Sequence, residues 1–290
     1  MLRIALATSS MYPDLTHDDR LLLRPLAERD VQAEPAIWDD PVRDWSSFDA
    51  VVLRSCWDYH LKHAAFLRWI ELLAQANVAV WNSTPLVRWN ANKSYLRGLE
   101  AKGIPIVPTF WPEAGEAVRL RERLHDLGWM KAVVKPRVSA TAHRTHWIAI
   151  DDADSLQELF DELRRGPGVM VQKFMDDIVN EGEWSLIFFG GQYSHAVLKT
   201  AKAGDFRVQR DFGGSEQPAD PTAQVLQAAT RIVQAVAPTL YARVDGVVDD
   251  AQFRLMELEL IEPALFLSSH PDAALRFAEV ITTVVTPRAM

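Results

Sequence analysis

Residues 242–263 read ARVDGVVDDAQFRLMELELIEP, two strand-like runs that both carry acidic side chains. In the second run, Glu257 and Glu259 lie two residues apart, so their carboxylates project from one face of a β-strand. The first run adds Asp245 to the same region. Because like charges this close repel one another, we expect either an exposed, solvated edge strand or a divalent cation that neutralises the carboxylates.

Apolar residues lie next to the two glutamates in the second run. Leu255, Leu258 and Leu260 predict a strand that packs against a core on one side and leaves the acidic side free for function. Magnesium prefers hard oxygen ligands and usually binds through a few carboxylates together with substrate phosphates. The three carboxylates suit such a site.

Alternating strand and helix patterns organise the first part of the chain. In residues 1–88, β-branched runs at 3–8, 50–54 and 79–81 accompany a helix with one apolar face at 64–76. This order is typical of a parallel sheet in an α/β domain.

The later part of the chain has a different texture. Residues 89–168 predict a small unit that opens with a helix at 91–102. Residues 169–290 predict an antiparallel domain with long strands, in which Gly190 and Gly191 mark a hairpin. We therefore predict an α/β protein of three domains with these boundaries, whose C-terminal part is α+β.

Composition excludes several classes of protein. The chain has 290 residues, 48% of them hydrophobic and 24% charged, which suffices for two or three cores. Its 31 Lys and Arg against 39 Asp and Glu give a formal net charge of −8, which argues against a nucleic-acid or acidic-membrane partner. Cys56 is the only cysteine, so no intramolecular disulfide or cysteine zinc cluster forms. We expect a cytoplasmic protein that acts on a small molecule. Whether the chain forms a homo-oligomer is left open.

Several common active-site motifs are absent from the sequence. It contains no GxxxxGK[ST] phosphate loop, no GxGxxG dinucleotide fingerprint, no GxSxG nucleophile elbow and no HExxH zinc motif. The P-loop, Rossmann, serine hydrolase and zinc protease assignments therefore lose their support.

Two lysines and a glycine-containing loop fit phosphate chemistry. Lys135 ends the apolar run AVVKP and is followed by RVSATAHRT, a hydroxyl-rich loop whose backbone N–H groups could approach phosphates. Lys93 opens a helix in NANKSYL. In DFRVQRDFGGS, Arg207 supplies a fork of donors, while Gly213 and Gly214 allow a loop to close over a ligand. Surface lysines and a solvated loop are the alternative interpretation.

Taken in order, these features resemble the ATP-grasp superfamily, in its glutathione-synthetase-like and ribosomal-modification-ligase-like branch. The strongest pieces are RSCWDYH, VRWNANKSYL, VVKPRVSA, GEWSLIFFGGQYSHAVLK and ELELIEPALF, which together span nearly the whole chain. Within the branch, these motifs and their order most resemble the group that contains the cyclo-ligase of cycloserine biosynthesis. The resemblance implies a three-domain ATP-grasp fold that holds ATP between the central and C-terminal domains.

The resemblance also implies roles for individual residues. It implies contacts to the phosphates, adenine or ribose of ATP by Lys93, Lys135, Gln172, Lys173, Phe174, Glu183, Lys199 and Met256. It implies magnesium ligands, with two ions expected and Mn²⁺ as a substitute, at Asp245, Glu257 and Glu259. It implies a catalytic loop that contains Arg207, Gly213 and Gly214. Arg207 of this loop, together with Arg243 on the strand of Asp245, would stabilise the negative charge that develops in the reaction.

Two positions depart from the family pattern. Glu259 replaces an asparagine that relatives often carry, which adds negative charge to the expected metal site. After Lys135, relatives often carry several glycines where this chain has SATA at residues 139–142.

The implied activity is that of an ATP-dependent carboxylate–amine ligase or cyclo-ligase, which acts through an acyl phosphate on an amino-acid-like molecule. A nucleotide-binding regulatory protein and a small-molecule kinase are the alternatives. At the end of a strand of the first domain, Arg54 could bind a substrate carboxylate and Asp58 an ammonium, beside Trp57. The alternative there is structural, with Trp57 as packing and an ion pair between Arg54 and Asp58.

Overall fold

Three β-sheets follow one another along the described chain, which comprises residues 2–113, 115–166, 168–202 and 213–285 of a computed structural model. The strands of the first sheet are β1 (Leu2–Thr8), β2 (Val31–Ile37), β3 (Ala50–Ser55) and β4 (Ala79–Trp81). They are parallel and lie in the order β2-β1-β3-β4. The helices of this part are α1 (His17–Arg20), α2 (Leu23–Ala27), α3 (His63–Gln75) and α4 (Thr84–Asn90).

The first sheet confirms the predicted parallel α/β arrangement. Helix α3 buries Phe66, Ile70 and Leu73, on the face that the apolar spacing predicts. Strand β2 escapes the sequence patterns because its run VQAEPAI mixes polar residues with Pro35. A proline is tolerated there because β2 is the edge strand of the sheet.

The second sheet is small and antiparallel. Its strands are β5 (Thr109–Phe110), β6 (Lys131–Pro136), β7 (His146–Ala149) and β8 (Val169–Lys173), in the order β5-β8-β6-β7. The helices of this part are α5 (Tyr95–Ala101), α6 (Leu120–Asp126) and α7 (Gln157–Arg165). The helix expected from residue 91 begins only at Tyr95, because the Asn92 side chain accepts a 2.9 Å hydrogen bond from the Ser94 N–H and holds a turn there.

The third sheet is antiparallel, as predicted. Its strands are β9 (Glu183–Phe189), β10 (Gln192–Thr200), β11 (Ser215–Pro218), β12 (Tyr241–Asp249) and β13 (Gln252–Glu259), in the order β11-β10-β9-β12-β13. The helices of this part are α8 (Asp177–Asn180), α9 (Ala223–Gln234) and α10 (Ala273–Val285).

Two tight hairpins hold the central strands of the third sheet in register. Gly190 and Gly191, with φ of 56° and 78°, join β9 to β10 and confirm the predicted turn. Asp250 and Ala251, with φ of 48° and 61°, make a turn of the same length between β12 and β13. Positive φ at both turn residues matches the right-handed twist of the strands. The second turn places the two acidic strands side by side.

Apolar cores cross between the sheets. One core joins Ile4 and Leu6 of β1 to Tyr241 of β12 and Phe277 of α10, so the last described helix packs with the first sheet. Another core packs α5 against the third sheet through Leu96. The domain boundaries at residues 88 and 168 stay predictions. Strand β8, expected in the C-terminal domain because it follows residue 168, pairs with β6 and β5 of the second sheet. No helix in the described part of the chain is long and apolar enough to cross a bilayer.

Candidate active site

A β-bulge shapes the acidic strand β13. Asp245 and Glu257 are direct cross-strand partners, and the register then skips Met256 so that the next pair uses Leu255. A bulge of this kind adds one residue and resets the side-chain alternation. As a result Leu255 and Leu258, three residues apart, are both buried, while Glu257 is only partly covered. We call the side formed by Asp245, Glu257 and Glu259 the acidic face.

Each carboxylate of the acidic face has a cationic partner. The Nζ of Lys93 lies 2.5 Å from Oε1 of Glu257. The Nη2 of Arg243 lies 2.5 Å from Oε1 of Glu259 and 2.9 Å from Oδ2 of Asp245. Arg243 and Glu259 are themselves cross-strand partners, so the fork of donors spans the two strands.

Burial and these cations act on the carboxyl pKa values in opposite directions. Burial would raise the pKa of Asp245, but the charge of Arg243 holds it below its ordinary value. Burial would also raise the pKa of Glu257, but the charge of Lys93 holds it below its ordinary value. At Glu259, burial and the charge of Glu257 outweigh Arg243 and raise the pKa to about 7. Glu259 is therefore the member of the acidic face that takes up a proton first as the pH falls.

The donor chemistry of the acidic face fits magnesium. Three carboxylates on two paired strands offer the hard oxygens that this ion prefers. In the described part of the chain, no group of three acidic, histidine or cysteine side chains is already spaced to hold an ion. The carboxylates are instead turned toward Lys93 and Arg243, so metal binding would require these ion pairs to loosen. The magnesium ligands stay a prediction.

Two of the lysines expected to meet ATP are buried near the acidic face. Lys93 also donates a 2.7 Å hydrogen bond to the backbone oxygen of Ser139, in the loop after β6. Lys135 is 9% exposed, and among the described residues its ammonium has no hydrogen-bond or ion-pair partner. Desolvation lowers the pKa of Lys135, against the pull of Glu257. Because an unpaired buried ammonium is costly, Lys135 is suited to receive an anion.

The loop after β6 adopts backbone conformations that glycine favours. Thr141, Ala142 and Arg144 have φ of 50°, 55° and 53°, in the left-handed region where other residues are rare. This is the segment in which the family pattern has several glycines. The ring centroid of His143 lies 5.1 Å from that of His60, so the loop meets the first part of the chain.

Some backbone N–H groups of the strand expected to pair with adenine already donate hydrogen bonds within the protein. The N–H of Lys173 donates to the oxygen of Pro108 at 2.8 Å, and the N–H of Phe174 donates to the oxygen of Lys131 at 3.1 Å. Gln172 is buried within the sheet between β5 and β6. A base bound here would therefore use the remaining backbone groups of the strand.

Met256, the bulged residue, joins a small apolar cluster. It packs against buried side chains that include Val107, Met175 and Val247. Because Met175 directly follows the strand assigned to adenine, the cluster offers an apolar surface where a base would lie. The assignment of Met256 to nucleotide binding stays a prediction.

A buried ion pair links the ribose-side residue to the acidic face. The Nζ of Lys199 lies 2.5 Å from Oε1 of Glu183 and 3.7 Å from Oδ1 of Asp245. Ser185 donates a short hydrogen bond to the same Asp245 carboxylate. Burial raises the pKa of Glu183, although Lys199 opposes it. Lys199 thus contacts both Glu183, expected to bind the ribose, and Asp245, expected to bind magnesium.

The catalytic loop is only partly within the described chain. Arg207 lies outside the described residues. Gly213, with φ of 83°, lies beside the Lys202 side chain and is followed by Gly214 before β11 begins. The positive φ is one that glycine adopts readily.

Arg54, expected to bind a substrate carboxylate, is a structural residue. It is 1% exposed, and its Nε lies 2.9 Å from Oδ1 of Asp19. Its Nη2 donates to the backbone oxygen of Pro263 at 2.7 Å, and its guanidinium lies over the ring of Tyr241. Because all three of its nitrogens donate internally, Arg54 ties the first sheet to the third and does not face a substrate.

The alternative ion pair between Arg54 and Asp58 does not form either. Asp58 accepts 2.8 Å hydrogen bonds from Nε1 of Trp38 and from Nζ of Lys62. It is thus occupied and does not offer a free carboxylate to an ammonium. Trp57 packs edge-on against Tyr12, which supports its interpretation as a packing residue.

One buried carboxylate near the acidic face was outside the sequence assignments. Glu262 follows β13 and is 8% exposed. Burial first, and then the charge of Glu259, raise its pKa well above the ordinary value. The signal for it in the sequence is a single acidic residue in the otherwise apolar run LIEP, which has no periodicity to interpret.

Comparison with known proteins gives consistent matches. A family described as the N-terminal domain of D-cycloserine synthetase DcsG matches residues 4–82. The chain is 31% identical to the cycloserine biosynthesis protein DcsG of Streptomyces lavendulae over 301 residues, which covers 98% of this chain and 99% of the relative.

Solved structures agree with the sequence matches. The crystal structure of D-cycloserine synthetase DcsG has a TM-score of 0.88 and 29% identity, and the match covers 98% of this chain and 100% of that one. A RimK-domain ATP-grasp protein from Sphaerobacter thermophilus has a TM-score of 0.71 and 17% identity, and the match covers 97% and 99% of the two chains. At that identity the second likeness concerns the fold alone.

Proposed function

Because the chain belongs to the ATP-grasp family of ligases, in the group of the cycloserine biosynthesis protein DcsG, we propose that it joins a carboxylate to an amine nitrogen through an acyl phosphate. The substrate is an amino-acid-like small molecule, and the relative's role in cycloserine biosynthesis favours a cyclo-ligase that closes a ring within one substrate. The observation that carries the proposal is the row of alternating charges across β10, β9, β12 and β13. Lys93 and Lys135 add two buried cations, and Lys135 has no partner among the described residues.

In the first step, an oxygen of the substrate carboxylate attacks the γ-phosphorus of ATP. The bond to the β-phosphate oxygen breaks, and ADP leaves with the electron pair. Lys135 and Lys199 would hold the phosphates, which keeps the reacting atoms in line. Magnesium held by Asp245, Glu257 and Glu259 would offset the negative charge of the phosphates.

In the second step, the amine nitrogen attacks the carbonyl carbon of the acyl phosphate. The tetrahedral intermediate collapses and inorganic phosphate leaves with the C–O bonding pair. The departing phosphate takes up the proton that the nitrogen loses. Arg243 would stabilise the negative charge on the intermediate, because its guanidinium is already fixed in place by Asp245 and Glu259. No nucleophilic side chain is needed, which agrees with the absence of a catalytic triad motif.

The two alternatives predict different products. A kinase would transfer the γ-phosphate to its substrate and release no inorganic phosphate. A regulatory nucleotide-binding protein would bind ATP and release neither ADP nor phosphate.

Hydroxylamine distinguishes these functions because it traps acyl phosphates as hydroxamates. With ATP, Mg²⁺ and a panel of amino acids and their derivatives, we expect ADP, free phosphate and a hydroxamate. The panel includes O-ureidoserine, an amino acid whose side chain ends in a urea, so that one molecule carries both a carboxylate and a nitrogen nucleophile. Without hydroxylamine, a single compound that carries both carboxylate and nitrogen should suffice for a cyclo-ligase. A requirement for a separate amine would indicate an intermolecular ligase, and a phosphorylated product without free phosphate would indicate the kinase.

Lys135→Ala should weaken ATP binding by about 10- to 100-fold. The substitution removes a buried charge that has no partner among the described residues, and one charge-assisted contact is worth about 1.5–3 kcal/mol. Calorimetric titration of ATP measures the change, and Lys102→Ala, at an exposed lysine, is the matched control. Unchanged affinity in a folded Lys135→Ala protein would remove Lys135 from the phosphate site.

A further inference from the structure

Glu262 is a buried carboxylate without a partner in the described part of the chain. At 8% exposure, it has neither a hydrogen-bond donor nor a cationic nitrogen at bonding distance among the described residues. Its neighbours Glu257 and Glu259 differ, because Lys93 and Arg243 neutralise them. Buried carboxylates are normally paired or hydrogen-bonded, so the natural partner of Glu262 is not supplied by these residues.

The position of Glu262 is that of a ligand site. Its backbone oxygen accepts a 2.9 Å hydrogen bond from Nε1 of Trp57, just beyond the carboxyl end of β3. Open parallel sheets bind ligands in the crevice outside the carboxyl ends of their strands. Along the chain, Glu262 is also only three residues beyond Glu259 of the acidic face. Glu262 therefore lies between the first sheet and the acidic face.

We propose that Glu262 binds the ammonium group of an amino-acid substrate. This inference rests on the proposed ligase function, which requires such a substrate to meet ATP at the acidic face. In an amino acid, the ammonium and the carboxylate are attached to the same carbon. Arg243, which binds Glu259, also donates a 3.1 Å hydrogen bond to the backbone oxygen of Ala264, two residues beyond Glu262. An ammonium held by Glu262 would therefore place the substrate carboxylate on the side of Arg243 and the acidic face. The carboxylates of the acidic face are already engaged, which leaves Glu262 as the acceptor.

A ligand pair that differs only in the ammonium tests this role. O-ureidoserine and its des-amino counterpart, 3-(ureidooxy)propanoate, would be titrated calorimetrically into protein that holds Mg²⁺ and a non-hydrolysable ATP analogue. The wild-type protein should bind the amino acid about 10- to 100-fold more tightly than the des-amino compound, the range for one charge-assisted hydrogen bond. Glu262→Gln should lose this preference by weakening binding of the amino acid alone.

Two control variants separate recognition from a general disturbance. Glu279→Gln, at an exposed glutamate of α10, should keep the full preference. Glu262→Asp keeps the charge and should retain part of the preference. Unfolding temperatures of all variants report whether the fold is intact.

The possible outcomes distinguish this proposal from the proposed function. If the wild type forms hydroxamate but Glu262→Gln keeps the preference for the amino acid, the ammonium site is overturned and the ligase stands. If the preference disappears in Glu262→Gln while the wild type forms no hydroxamate, the site stands and the ligase fails. If the wild type binds the two compounds equally, or binds neither of them, the ammonium site is overturned. Loss of Mn²⁺ binding in Glu262→Gln would also overturn it, because Glu262 would then be a metal ligand.

Discussion

Glu257→Gln should turn over at least about 10³-fold more slowly than the wild type while remaining folded. Glutamine has nearly the same shape and can still accept the hydrogen bond from Lys93, so the strand pairing with Asp245 is preserved. The substitution removes the negative charge that is directly opposite Asp245 on the acidic face. A metal ligand that neutralises phosphate charge contributes several kcal/mol to the transition state, and about 4 kcal/mol corresponds to a factor of 10³.

Two measurements identify the cause of that loss. ADP release at saturating ATP gives the turnover, and Mn²⁺ titration followed by electron paramagnetic resonance gives the metal affinity, which should fall in Glu257→Gln. The matched control, Glu279→Gln, should change neither. A Glu257→Gln protein with turnover within about tenfold of the wild type would show that the acidic face is a solvated strand surface.

The fold class was predictable because its signals are local. Side-chain periodicity depends only on whether neighbouring residues lie on a helix or a strand, and the paired glycines at 190–191 specify a two-residue turn. The acidic face could be predicted on the same ground. Two glutamates two residues apart share a strand face whatever the rest of the chain does.

The bulge at Met256 has a local signal as well, although strict alternation does not accommodate it. Leu255 and Leu258 are three residues apart and belong to the same apolar core, and a strand can bury both on one face only if an extra residue lies between them. Gly246 on the partner strand belongs to the same feature. A Cβ there would lie 2.5 Å from the backbone oxygen of Arg254 and collide with it.

The partners of buried charges could not be predicted, because they depend on contacts far apart in the chain. Arg54 and Asp58 are four residues apart and invite a local ion pair. The tertiary fold instead brings Asp19 to Arg54, while Trp38 and Lys62 take up Asp58. The same applies to Lys93, whose carboxylate partner Glu257 is 164 residues away in the chain, since 257 − 93 = 164.

Arg243→Lys should lower hydroxamate formation by about 10²–10³-fold and leave ATP affinity within about threefold of the wild type. Arg243 bridges Asp245, Glu259 and the backbone oxygen of Ala264 with separate nitrogens, which a lysine ammonium cannot reproduce. Removing one preorganised donor to a developing negative charge costs about 10²–10³ in rate. Because that charge develops only in the transition state, binding of ATP is spared.

The comparison variant for Arg243→Lys is Arg165→Lys, at an exposed arginine. Thermal unfolding of both proteins is needed, since weakening a buried bidentate pair with Asp245 also costs stability. An equal fall in ATP affinity and hydroxamate formation would make Arg243 a nucleotide-binding residue. Unchanged hydroxamate formation in the folded variant would reduce Arg243 to a structural bridge between β12 and β13. Another cation of the site would then have to stabilise the charge on the tetrahedral intermediate. Among the described residues, Lys93 is the candidate, because its ammonium lies 2.5 Å from Glu257 of the acidic face.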